Sequence, residues 1–165
     1  MVKRLVIEAL TAERFAPFGD VIAADSASRH FPINGGTTER YHDLANLEAG
    51  LDGKLIVSIF RGHPRELPFA VMMLERHPLG SQAFMPLVAQ PYLVVVAPAG
   101  EAPEPDALRA FLAQPGQGVN YANGVWHHPL LALNETCDFL VIDRSGPGNN
   151  CDEITLTEPC YLAFD

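Results

Sequence analysis

The chain has 165 residues, of which 48% are hydrophobic and 19% charged, with 13 Gly, 14 Pro and a formal net charge of −9. A chain of this length buries roughly 70% of its unfolded surface, so it needs no disulfide or metal to stabilise its core. The acidic charge and the presence of only two lysines disfavour nucleic acid as a partner. The longest strongly apolar run, residues 92–99, is far shorter than the ~20 residues of a membrane span.

Three cysteines without a CxxC spacing, and an N-terminus without a signal-peptide pattern, indicate a reducing compartment. We therefore expect a single cytoplasmic domain over residues 1–165, with neither nucleic-acid nor membrane partners.

Short β-branched or aromatic runs alternate with Gly and Pro along the chain. In chain order, the pattern predicts a strand at residues 5–8 and a short helix over residues 11–15, which begins at a plausible N-cap and stops before Pro17. Further strands are predicted at residues 20–23, 54–60, 69–74, 83–88, 92–97, 119–121, 128–133 and 139–143, and a second helix at residues 106–113. Strands about ten residues apart predict a mainly β barrel or sandwich with one or two short helices.

Four of the six histidines lie in two clusters, at residues 74–82 and 125–129. Side chains two apart in a strand face the same way, so Glu75 and His77 can project together, and Gln82 can return to the same face after a turn. Only one of the adjacent His127 and His128 can point inward from a strand. With His127, the set Glu75, His77 and Gln82 suits nickel, manganese, iron or zinc. The alternative is that these histidines are partly buried and only form hydrogen bonds.

The spacing Glu75-x-His77-x(4)-Gln82, followed later by His127, resembles the two metal-binding motifs of the cupin superfamily. Glu75 stands where that pattern has His, and Gln82 where it has Glu. Five blocks also resemble the ureidoglycolate lyase family in its own order: ERYHDL (39–44), LERHPLGSQAF (74–84), GVNY (118–121), VWHHPL (125–130) and DFLVIDR (138–144).

The resemblance to this family implies a cupin-like jelly-roll β-barrel that forms a homodimer. It also implies a carbon–nitrogen lyase that splits the small molecule (S)-ureidoglycolate into glyoxylate and urea, late in allantoin and purine degradation. A divalent metal, with nickel favoured, is implied for some members, whereas others act without one.

Cleavage of such a carbinolamine needs a base for the hydroxyl proton, an acid for the departing nitrogen and a cation for the carboxylate. If no metal binds, His77 or His127 can serve as the acid/base pair. If a metal binds, both become ligands, and the proton acceptor is Glu75, His128 or a water molecule.

For the substrate carboxylate, Arg40 in the ERYHDL block is the favoured residue, because a guanidinium binds a carboxylate through two parallel hydrogen bonds. A surface ion pair of Arg40 with a neighbouring carboxylate is an equally weighted alternative. Arg61 and Arg144 each follow a strand-like run and are the next candidates. Asn120 and Tyr121 precede the histidine pair and are candidates for hydrogen bonds to the urea group.

Two other functions fit the same scaffold. One is a cupin-type module that senses a small molecule without catalysis, although such modules usually carry an effector domain for which 165 residues leave no room. The other is a cupin isomerase or oxygenase, which generally keeps a His-x-His start where this chain has Glu75.

Overall fold

The computed structural model describes residues 3–165 and confirms a mainly β, cupin-like fold. The fifteen strands of that part of the chain are β1 (Lys3–Arg4), β2 (Ile7–Ala9), β3 (Gly19–Ile22), β4 (His30–Ile33), β5 (Thr38–Tyr41), β6 (Lys54–Gly62), β7 (Phe69–Arg76), β8 (Gln82–Pro86), β9 (Tyr92–Ala97), β10 (Arg109–Ala113), β11 (Gly118–Tyr121), β12 (Trp126–His127), β13 (Leu131–Ala132), β14 (Cys137–Ser145) and β15 (Asp152–Leu162). One α-helix, α1 (Ala12–Phe15), and two short 3₁₀ turns (Asn34–Gly36 and Pro105–Ala107) complete the fold.

The first predicted helix is confirmed. Thr11 is its N-cap, and the Thr11 side-chain oxygen accepts a hydrogen bond from the Arg14 backbone N–H at 3.2 Å. Phe15 is fully buried and anchors the helix on the core. This cap satisfies one of the backbone donors that a helix start leaves free.

The second predicted helix, at residues 106–113, is wrong. The segment forms the 3₁₀ turn Pro105–Ala107 and then β10, which pairs antiparallel with β9 and parallel with β2. Ala110, Phe111 and Ala113 are fully buried between these neighbours. Pairing on both sides of the strand outweighs the helix propensity of the segment.

The strands form two larger sheets and one separate hairpin. The first sheet has the order β1-β15-β7-β12-β9-β10-β2, with β13 also paired to β9. Its edge strands β1 and β2 are almost continuous in the chain, so the sheet curls until its two edges meet. The second sheet has the order β3-β11-β8-β14-β6 and packs on one face of the first. Strands β4 and β5 pair only with each other, and we call residues 30–41 the arm.

Strand β9 lies at the centre of the core. Val94 and Val96 pack with Phe139 and Val141 between the two sheets. Leu93, Val95 and Ala97 pack on the opposite face of β9. Burial on both faces explains the unbroken apolar run that the sequence shows here.

Within residues 3–165, no helix has the length and apolar character required to cross a bilayer.

Candidate active site

Glu75, His77 and His127 form a cluster at one end of β7. Glu75 lies directly opposite His127 in the β7–β12 pair, so both side chains project from the same face. The Glu75 Oε1 atom is 3.4 Å from His127 Nε2 and 3.8 Å from His77 Nε2. The structure therefore confirms that Glu75 and His77 project together and that His127 joins them.

The His127 imidazole is held in a fixed orientation. Its Nδ1 donates a hydrogen bond to the Val125 carbonyl at 3.1 Å, and Tyr121 stacks on its ring with 4.0 Å between centroids. In the neutral ring, Nε2 therefore carries a lone pair. Among residues 3–165 this buried atom has no aligned hydrogen-bond partner. A lone pair that faces a carboxylate makes a site for a proton or a cation.

Gln82 connects His77 to Asp143. The Gln82 side-chain amide donates to Asp143 Oδ2 at 3.1 Å, which leaves the Gln82 Oε1 atom 3.0 Å from His77 Nε2. On its other side, His77 Nδ1 donates to the Asn150 carbonyl at 2.7 Å. The Gln82 amide must turn its NH₂ group toward Asp143, because a carboxylate can only accept a hydrogen bond. Asp143 therefore fixes the amide so that its oxygen faces His77.

Burial and charge shift the pKa values of this cluster in opposite directions. Burial by itself would raise the pKa of Glu75, but the neighbouring His127 and His77 imidazoles outweigh burial, so the pKa of Glu75 is lowered. Burial lowers the pKa of His127, and the nearby charge of His77 lowers it further. Burial and the charge of Glu75 raise the pKa of Tyr121. The cluster thus combines an ionised carboxylate with a neutral buried imidazole near pH 7.

Glu75 also forms part of the wall of a cavity of about 580 Å³. Arg61, predicted from the sequence, and Arg65, which was not, line the same cavity. Arg61 donates two hydrogen bonds to Asp138 at 2.8 and 3.0 Å. Arg65 lies over the Phe69 ring, 5.6 Å from its centroid, and no carboxylate of residues 3–165 forms an ion pair with it. The cavity therefore places positive charge beside the Glu75 carboxylate.

Other predicted substrate-binding residues lie elsewhere in the chain. Arg40 is exposed on β5, in the arm, and is not among the residues that line the cavity. The Asn120 side chain projects from the opposite face of β11 to Tyr121 and donates to Asp20 and to the Asn46 carbonyl. Within one chain, the structure does not bring Arg40 or Asn120 to the cluster.

The predicted residues His128 and Arg144 are buried, and both donate hydrogen bonds to backbone carbonyls. The His128 Nδ1 atom donates to the Pro129 carbonyl at 2.8 Å, and its ring packs edge-on against Phe69. Burial lowers the pKa of His128, and the charge of Arg65 acts in the same direction. Arg144 donates to the carbonyls of Ala49 and Leu51, so it holds a loop in place.

Sequence reasoning also missed Cys151, Asp143 and Asn150 as neighbours of the cluster. The exposed Cys151 Sγ atom is 3.9 Å from Glu75 Oε2. Asp143 and Asn150 reach the cluster from β14 and from the loop before β15. Their proximity depends on strand pairing over long sequence separations, and no local motif in the sequence indicates it.

The donor set of the cluster fits a divalent metal ion. One ligand atom from each of Glu75, His77 and His127 lies within 4.8 Å of the others. The unpartnered Nε2 atom of His127 points into this space, and the Gln82 amide oxygen lies beside it. One carboxylate, two imidazoles and an amide oxygen suit a borderline transition metal such as nickel or zinc.

The fold and the cluster define a small cupin-like β-barrel with a carboxylate–imidazole centre. A model of the ureidoglycolate lyase family matches residues 2–163. The chain belongs to the ureidoglycolate lyase family, as its sequence blocks predicted.

Relatives that are named ureidoglycolate lyase match almost the whole chain. The protein of Burkholderia cepacia is 61% identical over 98% of this chain and 91% of its own length. The protein of Pseudomonas entomophila is 58% identical over 99% of this chain and 98% of its own length. The protein of Pseudomonas syringae pv. syringae is 55% identical over 99% of this chain and 96% of its own length. A solved dTDP sugar isomerase from Desulfovibrio desulfuricans covers 84% of this chain and 85% of its own, at 17% identity and a TM-score of 0.48.

Proposed function

We propose that the chain is a carbon–nitrogen lyase that splits (S)-ureidoglycolate into glyoxylate and urea. Its relatives bear the name of this activity over nearly the whole chain. The observation that carries the proposal is the cluster of Glu75, His77 and His127 beside a cavity lined by arginines. This arrangement offers a proton acceptor, proton donors and a binding site for an anion, which are the three needs of the reaction.

Glu75 accepts the hydroxyl proton of the substrate in the proposed reaction. Its lowered pKa keeps the carboxylate ionised near neutral pH, and it lies at the cavity wall where a substrate can reach it. His77 protonates the departing urea nitrogen. The Nε2 atom of His77 faces the oxygens of Gln82 and Glu75, both of which can accept a hydrogen bond from it. His127 Nε2 faces Glu75 Oε1 at 3.4 Å, so the two residues can share a proton.

Arg61 and Arg65 attract the substrate carboxylate to the cavity. Arg61 is already neutralised by Asp138, whereas Arg65 forms no ion pair with a carboxylate of the described chain. Tyr121 is buried against His127 and orients that ring, so it does not contact the urea group directly in this proposal.

We propose further that a divalent cation binds in some conditions, with Glu75, His77 and His127 as ligands and Gln82 as a fourth oxygen donor. When bound, such an ion lowers the pKa of a coordinated hydroxyl group. With Glu75, His77 and His127 acting as ligands, His128 or a water molecule would be left to accept the proton.

The test supplies each ureidoglycolate enantiomer and measures glyoxylate and urea separately, with and without prior chelation. We expect equal amounts of both products from the S enantiomer. We expect Glu75→Gln to lower kcat by about 10²-fold or more, since general-base catalysis contributes at least that much. The matched control is Glu13→Gln, which removes an exposed carboxylate on α1. Ammonia in place of urea would contradict the proposal.

The homodimer implied by the family is also a proposal. On the outer face of the second sheet, Val57 and Ile59 are 66% and 54% exposed and pair with Ile142 and Leu140 of β14. Exposed apolar side chains that form a continuous patch on a sheet typically mark an interface between subunits. A cytoplasmic location is proposed because Cys137, Cys151 and Cys160 are all free thiols.

A further inference from the structure

The Glu75 carboxylate has metal-binding donors on two sides. Its Oε1 atom faces the Nε2 atoms of His127 and His77, which belong to the cluster described above. Its Oε2 atom lies 3.9 Å from the Sγ atom of Cys151, an exposed thiol. The imidazole side serves the proposed reaction, whereas the thiol side has no part in it.

Glu153 adds a third donor on the thiol side. It lies directly opposite Glu75 in the β7–β15 pair, so the two carboxylates project from the same face. One donor atom from each of Glu75, Cys151 and Glu153 lies within 4.8 Å of the others, and we call these three residues the thiol cluster. Like charges directly opposite each other on neighbouring strands are destabilising. A cation bound between them relieves that repulsion.

The described chain supplies no cation to Glu153. The neighbouring guanidinium of Arg76 donates to Asp152 at 2.9 Å and lies over the Trp126 ring, 4.8 Å from its centroid. Among residues 3–165, Glu153 forms no ion pair with a Lys, Arg or His side chain. Compensation of its charge therefore comes from outside the chain.

A buried atom on the other side of Glu75 independently indicates a cation at this centre. His127 is 1% exposed, and its Nε2 atom has no aligned hydrogen-bond partner among residues 3–165. This atom is directed at Glu75 Oε1 from 3.4 Å. A buried lone pair that faces a carboxylate lacks the positive group that would join them, and Glu75 carries the same deficit to the thiol cluster.

The separations in the thiol cluster are close to those of a tetrahedral metal site. Zinc binds sulfur at about 2.3 Å and carboxylate oxygen at about 2.1 Å, which places two such ligand atoms about 3.6 Å apart. The Cys151 Sγ and Glu75 Oε2 atoms are 3.9 Å apart, so a small shift brings both to one ion. The exposed Glu153 side chain supplies a third ligand, and water completes the set.

We propose that the thiol cluster binds a thiophilic divalent cation such as Zn²⁺ and that this binding inhibits the lyase by withdrawing Glu75 from the reaction. A thiolate ligand selects soft cations over Mg²⁺ or Ca²⁺. The Cys151 thiol releases its proton to solvent as the metal–sulfur bond forms. The bound ion neutralises Glu75, which then accepts no proton from the substrate. The inhibition rests on the proposed function, whereas the binding does not.

The binding test adds Cd²⁺ to the chelator-treated protein and records the ultraviolet charge-transfer band of a cadmium–thiolate bond. We expect this band in the wild type and its loss in Cys151→Ser. The matched control is Cys137→Ser, which keeps the band, because Cys137 is buried elsewhere and a Ser hydroxyl retains its hydrogen bond to the Glu135 carbonyl. His127→Ala also keeps the band, which separates this position from the imidazole side.

Alkylation provides a second readout. Cys151 is the exposed thiol among three, so iodoacetamide adds to it first, and bound Cd²⁺ prevents that addition. Mass spectrometry of the intact protein measures the protection. We expect Glu153→Gln to weaken Cd²⁺ binding by about 10-fold or more, since even residues that only orient a metal ligand contribute that much.

The inhibition test follows glyoxylate formation as Cd²⁺ is added, with each variant compared with its own metal-free rate. We expect the wild type to lose turnover as the charge-transfer band grows. For Cys151→Ser, the Cd²⁺ concentration that halves turnover rises by about 10-fold or more.

Two results would overturn the binding site: a wild type without the thiolate band, or a Cys151→Ser variant with the same band. A full band with unchanged turnover would overturn the inhibition. Failure of the wild-type protein to produce glyoxylate and urea would contradict the proposed function instead, and the band would still test the thiol cluster.

Discussion

The imidazole of His127 directs its unprotonated Nε2 atom at the Glu75 carboxylate, 3.4 Å away, from a position that is only 1% exposed. The Nδ1 hydrogen bond to Val125 prevents the ring from using the other tautomer without losing that bond. Two electron-rich atoms at this distance attract a proton or a metal ion between them. The geometry of the cluster therefore depends on the Val125 backbone carbonyl as well as on the two side chains.

Metal binding follows from this arrangement. We expect the chelator-treated wild-type protein to bind Ni²⁺ with 1:1 stoichiometry, and His127→Ala to lose most of that affinity because a buried ligand is removed. Affinity falls as pH decreases, because the imidazole ligands must be deprotonated. Calorimetric titration at several pH values measures both effects. His63→Ala, at an exposed histidine outside the cluster, is the control, and equal binding by His127→Ala would disprove the site.

The Asp143 carboxylate is expected to act through Gln82. Asp143→Asn replaces a carboxylate, which can only accept, with an amide that can present either its oxygen or its NH₂ group to Gln82. His77 then meets the Gln82 amide oxygen in only part of the molecules. We expect kcat to fall by about 10-fold to 100-fold, as for other residues that orient a metal-binding or catalytic group. The KM stays nearly constant, and the pH profile of kcat changes.

Steady-state kinetics over pH 5–9 measures these changes. Asp52→Asn is the matched control, at an exposed position in the loop before β6. An unchanged pH profile in Asp143→Asn would mean that Asp143 only supports the fold.

The stability of the protein at low pH depends in part on Glu8. Hydrogen bonds from Arg109 at 2.8 and 2.9 Å lower the pKa of Glu8 below its ordinary value of 4.5. A lowered folded-state pKa stabilises the protein above the ordinary value, and that contribution is lost as pH falls through the folded-state pKa. We expect Glu8→Gln to reduce the free energy of unfolding by about 1 kcal/mol at pH 7.

At a pH below the pKa of folded Glu8, the difference between Glu8→Gln and the wild type disappears. Urea denaturation at pH 7 and at successively lower pH values measures it, with Glu13→Gln as the control. A difference that does not depend on pH would show that packing, and not charge, is lost.

The outer face of the second sheet can be tested by charge insertion. Val57→Asp places a carboxylate in the apolar patch, and its burial on association is unfavourable. We therefore expect Val57→Asp to be monomeric at concentrations where the wild type is dimeric, as measured by sedimentation equilibrium. Val6→Asp changes another apolar side chain, 80% exposed and outside this face, and keeps the dimer. A dimeric Val57→Asp would place the interface elsewhere.

Much of the β architecture could be predicted because its strands are short, β-branched and bounded by Gly or Pro. The prediction of residues 92–97 coincides with β9, whose two buried faces leave a continuous apolar run. Strand β15 was missed, because its exposed and half-buried residues mix polar and apolar types and include Pro159. Strands β4 and β5 were missed because the arm has little apolar content to indicate burial.

The candidate site could be predicted only where its residues are close in sequence. Period-2 spacing placed Glu75 and His77 together, and the block around His127 supplied the third member. Arg65 and Asp143 depend on which strands become neighbours, and this is decided by packing of the whole chain. Asn120 and Tyr121 are neighbours in the sequence and were predicted to act together. Because they are consecutive in a strand, their side chains project from opposite faces.

Closure of the first sheet has a consequence for the order of folding. The strand that begins at Lys3 pairs with the strand that ends at Leu162, with Lys3 directly opposite Cys160. Glu75 lies between β12 and β15 in this sheet, so its position is complete only when the last long strand has paired. Contacts between such distant parts of a chain form slowly. A chain that still lacks β15 therefore lacks one of the two strands that hold Glu75 in place.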